Sequence, residues 1–328
     1  MRRLDGYLQK NNTLTLYIIG YKNQGESIVI NIADQFIGVL DSYKTPNHFV
    51  TKDILDGFGR KKVNFLCWTH TDADHTLGMS DLLKNHVDRK TLFFLPEGFQ
   101  AKEIQAMYSK YVSSEYQEIS KIADKNIAVS NYISVNQSVS ETYSILFSSS
   151  SEKLYIDLEY YTPLSRVVKN LSQKAFDNYF KRNKYVSNKP NYFSTVLKIT
   201  VRHPDIIPIT ICLTSDLDNY IIKRMDEEQA QECFDGNLII KIPHHGSKHS
   251  RNILEYINSF GFAATTSYSS SNLPQKEILD SYKLINPNVS FTGKDNTQEY
   301  GIIKYEIKLT DKFHDLIKLT HLGGAGIY

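Results

Sequence analysis

Short apolar runs broken by Gly, Asn and Asp set the pattern of the first third of the chain. Thr13–Gly20, Ser27–Ala33 and Phe36–Asp41 are β-branched or aromatic stretches of strand length, with Asn23-Gln24-Gly25 and Gln35 as turns between them. Val63–Thr69 is mostly apolar, as expected of a strand buried on both faces. It runs into the polar cluster His70-Thr71-Asp72-Ala73-Asp74-His75. Thr76–His86 follows, with Leu77, Met79, Leu82 and Leu83 compatible with one buried helical stripe. Further along, Ser194–Val201, Ile209–Thr214, Asn237–Ile242, Ala263–Tyr268 and Ile302–Lys308 predict strands. Asp218–Phe234, Asn252–Phe260 and Gln275–Ile285 predict helices. Residues 85–190 read differently, with helical composition over Glu97–Lys125, strand-like segments over 126–165 and a serine run at Ser148–Ser151. The expectation is a single α/β (α+β) domain over 1–328, carrying an inserted elaboration at about 85–190.

Composition narrows the class. A chain of 328 residues, 41% hydrophobic and 23% charged, has ample material for a buried core. Its formal net charge of +2 gives no global field of the kind that coats DNA. No apolar run approaches the ~18–20 residues of a membrane helix. Met1-Arg2-Arg3 is not followed by the apolar stretch and cleavage site of a signal peptide. Cys67, Cys212 and Cys233 are widely spaced, form no zinc pattern and argue against a disulfide framework. A soluble, cytoplasmic protein without membrane partners is expected; oligomeric state is not legible.

Two clusters carry candidate chemistry. His70, Asp72, Asp74 and His75 fall within six residues at the end of a strand. Imidazoles and carboxylates this close are reconciled by a divalent metal, and the alternative is a polar turn whose Asp72 or Asp74 caps the next helix. The second cluster, Ile242–Ser247 (IPHHGS), also follows a strand, and Ile211–Asp216 delivers an aspartate from a third. Three strand ends with potential ligands suit an α/β sheet that binds beyond its carboxyl edge.

These stretches resemble the metallo-β-lactamase superfamily, and more narrowly the hydrolase domain of the ComEC competence proteins and its free-standing relatives. Gln24–Ile30 resembles the family's GQGDSILI-like strand, and Val39–Tyr43 its LIDTG turn. Thr69–Gly78 (THTDADHTLG) resembles SHxDxDHxGG, Leu213–Asp216 the strand into TGD, and Lys241–Ser250 (KIPHHGSKHS) the HHGSxxS element. Tyr43 and Ser215 replace the glycines of LIDTG and TGD, and Leu273 stands where a histidine often precedes the proline. The resemblance implies a four-layer αββα metallo-β-lactamase sandwich and two divalent ions, Zn²⁺ or Mn²⁺. One ion would take His70 and Asp72. The other would take Asp74, His75 and His244, with Asp216 bridging and His245 kept as the neighbour that sequence cannot separate from His244. Asp74 would also orient a water activated by both ions.

Ser247, Lys248 and His249 follow the ligand, where they would contact phosphate or protonate a leaving group; the alternative is a surface turn. A further ligand for the first ion is usual in the superfamily. If Ser194–Val201 and Ile209–Thr214 form a hairpin, His203 sits at its turn, roughly 20 Å from Asp216 at ~3.3 Å per residue. Asn191 and Ser194 lie at the correct end instead, so a first shell completed by water is expected. His48, His86, His314 and His321 read as ordinary histidines.

The implied activity is metal-dependent hydrolysis of an ester, foremost a nucleic-acid phosphodiester. Arg166–Lys189 holds seven Lys/Arg against one acid, interleaved with Phe176, Tyr179, Phe180 and Tyr185, a composition that can track a backbone or bury an amphipathic helix. Alternatives are a small phosphodiester (a cyclic nucleotide or choline-type ester), or a metal-binding protein activated by a partner encoded nearby.

Overall fold

The computed structural model describes residues 1–8, 12–97, 115, 118–119, 132–148, 152–171, 190–203, 206–309 and 317–328. Its architecture follows from period-two alternation along the strands. In β2 (Thr13–Tyr21), Leu14, Leu16 and Ile18 point to one face while Ile19 and Tyr21 point to the other. The same split recurs in β5 (Phe65–Cys67) and β6 (Leu92–Pro96). There Phe65, Cys67, Leu92 and Phe94 face one core, and Leu66, Phe93 and Leu95 another. In β11 (Ile206–Leu213), Ile209, Ile211 and Leu213 face inward and Cys212 outward. Each such strand is apolar on both sides, so each sheet must be covered twice.

Among the described residues the strands form two sheets. The eight-stranded sheet has the order β16-β15-β2-β3-β4-β5-β6-β7 and the nine-stranded sheet β1-β8-β9-β10-β11-β12-β13-β14-β17. The remaining strands are β1 (Arg2–Leu8), β3 (Glu26–Ile32), β4 (Phe36–Leu40), β7 (Tyr132–Val135), β8 (Ser140–Phe147), β9 (Lys153–Tyr160), β10 (Leu197–His203), β12 (Asn237–Lys241), β13 (Phe260–Thr265), β14 (Val289–Phe291), β15 (Tyr300–Lys308), β16 (Ile317–Gly323) and β17 (Gly326–Ile327). One apolar cluster, from Leu8 to Leu309, lies between the sheets. A second covers the outer face of the eight-stranded sheet through α1 (Val50–Asp56) and α3 (Met79–Asn85). The third covers the other sheet through α5 (Glu227–Phe234) and α6 (Lys276–Ile285). The layers are helix, sheet, sheet, helix: the expected αββα sandwich.

The 85–190 stretch supplies strands to both sheets: β6 and β7 extend one, while β8 and β9 lie between β1 and β10 in the other. Leu154, Ile156 and Leu158 are core residues there, and the Glu115 carboxylate accepts from the Gly78 and Ser80 amides at 3.2 and 2.9 Å at the start of α3. Thr76–His86 is not one helix, because Gly78 at φ +96° separates α2 (Ala73–Thr76) from α3. Asp218–Phe234 divides into α4 (Asn219–Ile222) and α5, each with its own aspartate cap, Asp218 and Asp226. The helix expected at Asn252–Phe260 is a 3-10 helix over Lys248–Tyr256. Most of Glu97–Lys125, most of Arg166–Lys189 and His314 lie outside the described residues. No described helix is long and apolar enough to cross a membrane.

Candidate metal centre

The site assembles at the carboxyl ends of parallel strands, where β4, β5, β11, β12 and β13 deliver side chains from both sheets. After β5, Thr69–Thr76 turns so tightly that His70 and His75 have ring centroids 4.2 Å apart. Asp72 occupies the N-cap position of α2 but its side chain makes no capping hydrogen bond. Its carboxylate instead lies 3.6 Å from His70 Nε2. This removes the helix-cap alternative for Asp72. Asp74 is buried and turns its Oδ2 towards His245 Nε2 at 3.2 Å and His75 Nε2 at 3.8 Å.

Asp216 arrives from β11 and divides its two oxygens between two groups. Oδ1 is 3.4 Å from His75 Nε2 and 3.7 Å from His245 Nε2. Oδ2 is 3.9 Å from His244 Nε2. Asp74, His75, Asp216 and His245 each offer one ligand atom within 4.8 Å of the others. The structure places His245, rather than the expected His244, beside Asp74 and His75, because the backbone turns His245 inward and fully buries it. His244 stands on the other side of Asp216, 20% exposed in its side chain, with Asn191 Nδ2 donating to its Nε2 at 3.3 Å.

Each inner imidazole is held by its far nitrogen. His75 Nδ1 is 2.7 Å from Asp41 Oδ2. His70 Nδ1 is 3.0 Å from Thr69 Oγ1 and 3.3 Å from Ser215 Oγ. His245 Nδ1 is 2.7 Å from Thr266 Oγ1. Asp41, His70 and His75 also lie close enough to be considered as ligands. However, Asp41 already accepts from the Thr69 amide and hydroxyl at 2.7 and 2.6 Å, so its carboxylate orients rather than ligates. Asp41, Thr69, Ser215 and Thr266 are site residues that reading the sequence missed. Two of these, Asp41 and Ser215, have left-handed backbone at φ +56° and +46°, as do His244 and His245 at +49° and +51°. Gly246 continues that conformation at φ +74°, and a Cβ there would meet Pro274 at 2.7 Å.

Three ligand-type atoms of the cluster have no hydrogen-bond partner among the described residues. His70 Nε2, His75 Nε2 and Asp216 Oδ1 are buried and make no hydrogen bond within the described protein. Leaving such atoms unpaired costs about 1–3 kcal/mol each. Burial opposes charge on Asp74, but His75 and His245 outweigh it and hold its carboxyl at about 2. Burial likewise opposes charge on Asp216, yet His245, His75 and His244 hold it well below the usual range. Ionised carboxylates facing unpaired imidazole nitrogens are the donor set of a divalent cation, and these residues could hold one or more.

The other expected residues are placed less closely. Ser194 is buried with its hydroxyl among the unpaired atoms, and its amide bonds Asn191 O at 3.2 Å. Ser247 Oγ accepts from the His249 amide at 3.2 Å, so this oxygen caps the 3-10 helix. Lys248 and His249 are exposed, with the His249 ring 6.3 Å from that of His244. His203 lies at the closed end of the β10–β11 hairpin, opposite Ile206, as expected.

No family model matches this chain, and no curated protein matches it. Among solved structures the chain is similar to a long form RNase Z from yeast, at 9% identity and a TM-score of 0.38. The similarity covers 79% of this chain and 38% of that one, so this chain spans well under half the length of that protein.

Proposed function

We propose that this chain is a metal-dependent hydrolase of phosphodiester bonds, with a nucleic acid as its foremost substrate. One observation carries the reading: Asp216 turns one oxygen to His75 and His245 and the other to His244, as a carboxylate shared by two cation positions would. Asp74, His75 and His245 serve one position. His70 and Asp72 serve the other, with His244 beside them. Divalent ions held there would lower the pKa of water and clamp a phosphoryl oxygen.

The chain's own residues do the rest. Asp41, Thr69, Ser215 and Thr266 fix which imidazole nitrogen faces inward. The buried Asp74 carboxylate orients the attacking water. Exposed Lys248 and His249 stand at the rim to meet phosphate charge and a departing oxygen. An oxygen donor at Asp72, where an imidazole often stands, suits Mn²⁺ as well as Zn²⁺. The ComEC-like motifs support a polynucleotide over a β-lactam.

The test is cleavage of end-labelled single-stranded DNA, duplex DNA and RNA with Mn²⁺ or Zn²⁺, beside Asp74→Ala. Cleavage that Asp74→Ala loses is expected, with Mn²⁺ as effective as Zn²⁺. A metal-loaded protein that cleaves no polymer would overturn the nucleic-acid reading and leave a small phosphodiester or a partner-activated enzyme.

A further inference from the structure

Behind the metal centre lies a charged pair that the proposed chemistry does not touch. Lys241 Nζ and Glu26 Oε2 are 2.7 Å apart, and both side chains are essentially inaccessible. A buried ion pair is poor evidence for stability, since apolar residues of similar volume often serve as well or better. Its connections are more informative. Glu26 Oε2 accepts from Thr266 Oγ1 at 2.6 Å, and Thr266 Oγ1 is 2.7 Å from His245 Nδ1. Lys241 Nζ also donates to Ser215 O at 3.1 Å.

Proton counting fixes the direction of this chain. A carboxylate can only accept, so the single Thr266 hydroxyl hydrogen goes to Glu26. Thr266 Oγ1 must then accept from His245, which places the hydrogen on Nδ1 and leaves the Nε2 lone pair facing Asp74 and Asp216. Lys241 charge-balances Glu26 and, through Ser215 O, grips the left-handed turn that presents Asp216. We propose that Glu26, Thr266 and Lys241 are positioning residues that hold His245 in its metal-binding tautomer and lock the Asp216 turn to it. This rests on the metal-site reading above and deepens it.

The test is titration of the metal-free full chain with Co²⁺, read by visible absorption and calorimetry, with thermal unfolding alongside. Thr266→Val keeps the shape and removes the hydroxyl; Thr266→Ser restores it. The Glu26→Gln/Lys241→Met pair removes both charges together, so neither is stranded. Thr266→Val should weaken the ion held by Asp74, His75 and His245 by about 10–100-fold, with the ion at His70 bound as before. The double variant should weaken that same ion at least as much, and the ion at His70 as well, because it also frees the turn that presents the shared Asp216. Thr266→Ser should bind as the unaltered chain does. Unchanged Co²⁺ affinity in Thr266→Val overturns the inference while the site reading stands. In Thr266→Val, equal weakening of both ions, in step with a fall in unfolding temperature, overturns it as a merely structural effect. Failure of the unaltered chain to bind Co²⁺ removes the site reading itself.

Discussion

The two histidine-bearing turns reach the same centre by different means. Thr69–Thr76 packs His70, Asp72, Asp74 and His75 into one short segment, whose turn brings the two imidazoles to a 4.2 Å ring separation. Pro243–Ser247 offers only two adjacent histidines, and the backbone decides between them. Both adopt left-handed φ, which costs an L-residue roughly 1–2 kcal/mol each. That conformation sends His245 into the interior and His244 to the rim. A ligand set written as a motif is visible as spacing, whereas one produced by backbone strain is visible only in the fold.

The sharpest way to break this comparison is to treat the neighbours as equals. His245→Ala removes a buried imidazole beside Asp74 and Asp216, and is expected to weaken one bound ion by at least about a hundredfold, beyond what loss of an outer partner costs. His244→Ala should do distinctly less to that same ion, because its ring faces Asn191 and the other Asp216 oxygen. Calorimetric metal titration of both variants decides it, and equal losses would mean the two histidines exchange roles.

Asp41→Asn probes the first turn in the same way. Asp41 accepts from His75 and from both donors of Thr69. An amide cannot replace a carboxylate across all three, so metal affinity should fall about 10–100-fold with every ligand still in place. Unfolding should cost about 1–3 kcal/mol less than in the unaltered chain. Unaltered affinity would show that the first turn orients His75 without help.

Ser215→Gly separates strain from function. Glycine relieves the φ of +46°, while loss of the hydroxyl removes contacts to Thr69 Oγ1 at 2.6 Å and His70 Nδ1 at 3.3 Å. The opposing effects should leave stability within about 1 kcal/mol. The ion held by His70 should still bind about tenfold more weakly, near the lower limit for an outer partner. A gain in stability with affinity intact would mean the serine is incidental to the site.

Much of the fold was legible in the sequence for reasons these residues make plain. Alternation in Leu14, Leu16 and Ile18 against Ile19 and Tyr21 marks a strand with two buried faces, and the turn residues between runs mark its ends. β1 was missed because Arg2–Leu8 is mostly exposed, so its sequence carries little apolar signal. The places of β6 to β9 in the two sheets were not legible, because strand pairing at a distance leaves no local trace. Within the site, His70, Asp72, Asp74, His75 and Asp216 were legible by type and spacing. Thr266, Glu26 and Lys241 were not, since each acts only through partners up to 240 positions away.

The smallest expected effect tests the geometry that denies a histidine to the centre. Leu197 pairs with Leu213 at the end of the β10–β11 hairpin nearest Asp216, and His203 pairs with Ile206 at the other. The six steps from Leu197 to His203 span about 20 Å at ~3.3 Å per residue, far beyond any ligand bond. The His203 ring packs instead on Phe147, with centroids 4.9 Å apart, and its Nε2 lies 3.7 Å from Glu152. His203→Ala should therefore leave metal stoichiometry and affinity unchanged, at a packing cost of roughly 0.5–3 kcal/mol. A lost metal equivalent would require the hairpin to fold back on itself, against five antiparallel pairs in unbroken register from Leu197–Leu213 to Val201–Ile209. Those pairs hold His203 away from the end where Asn191 meets His244 and where His244 Nε2 lies 3.9 Å from Asp216 Oδ2.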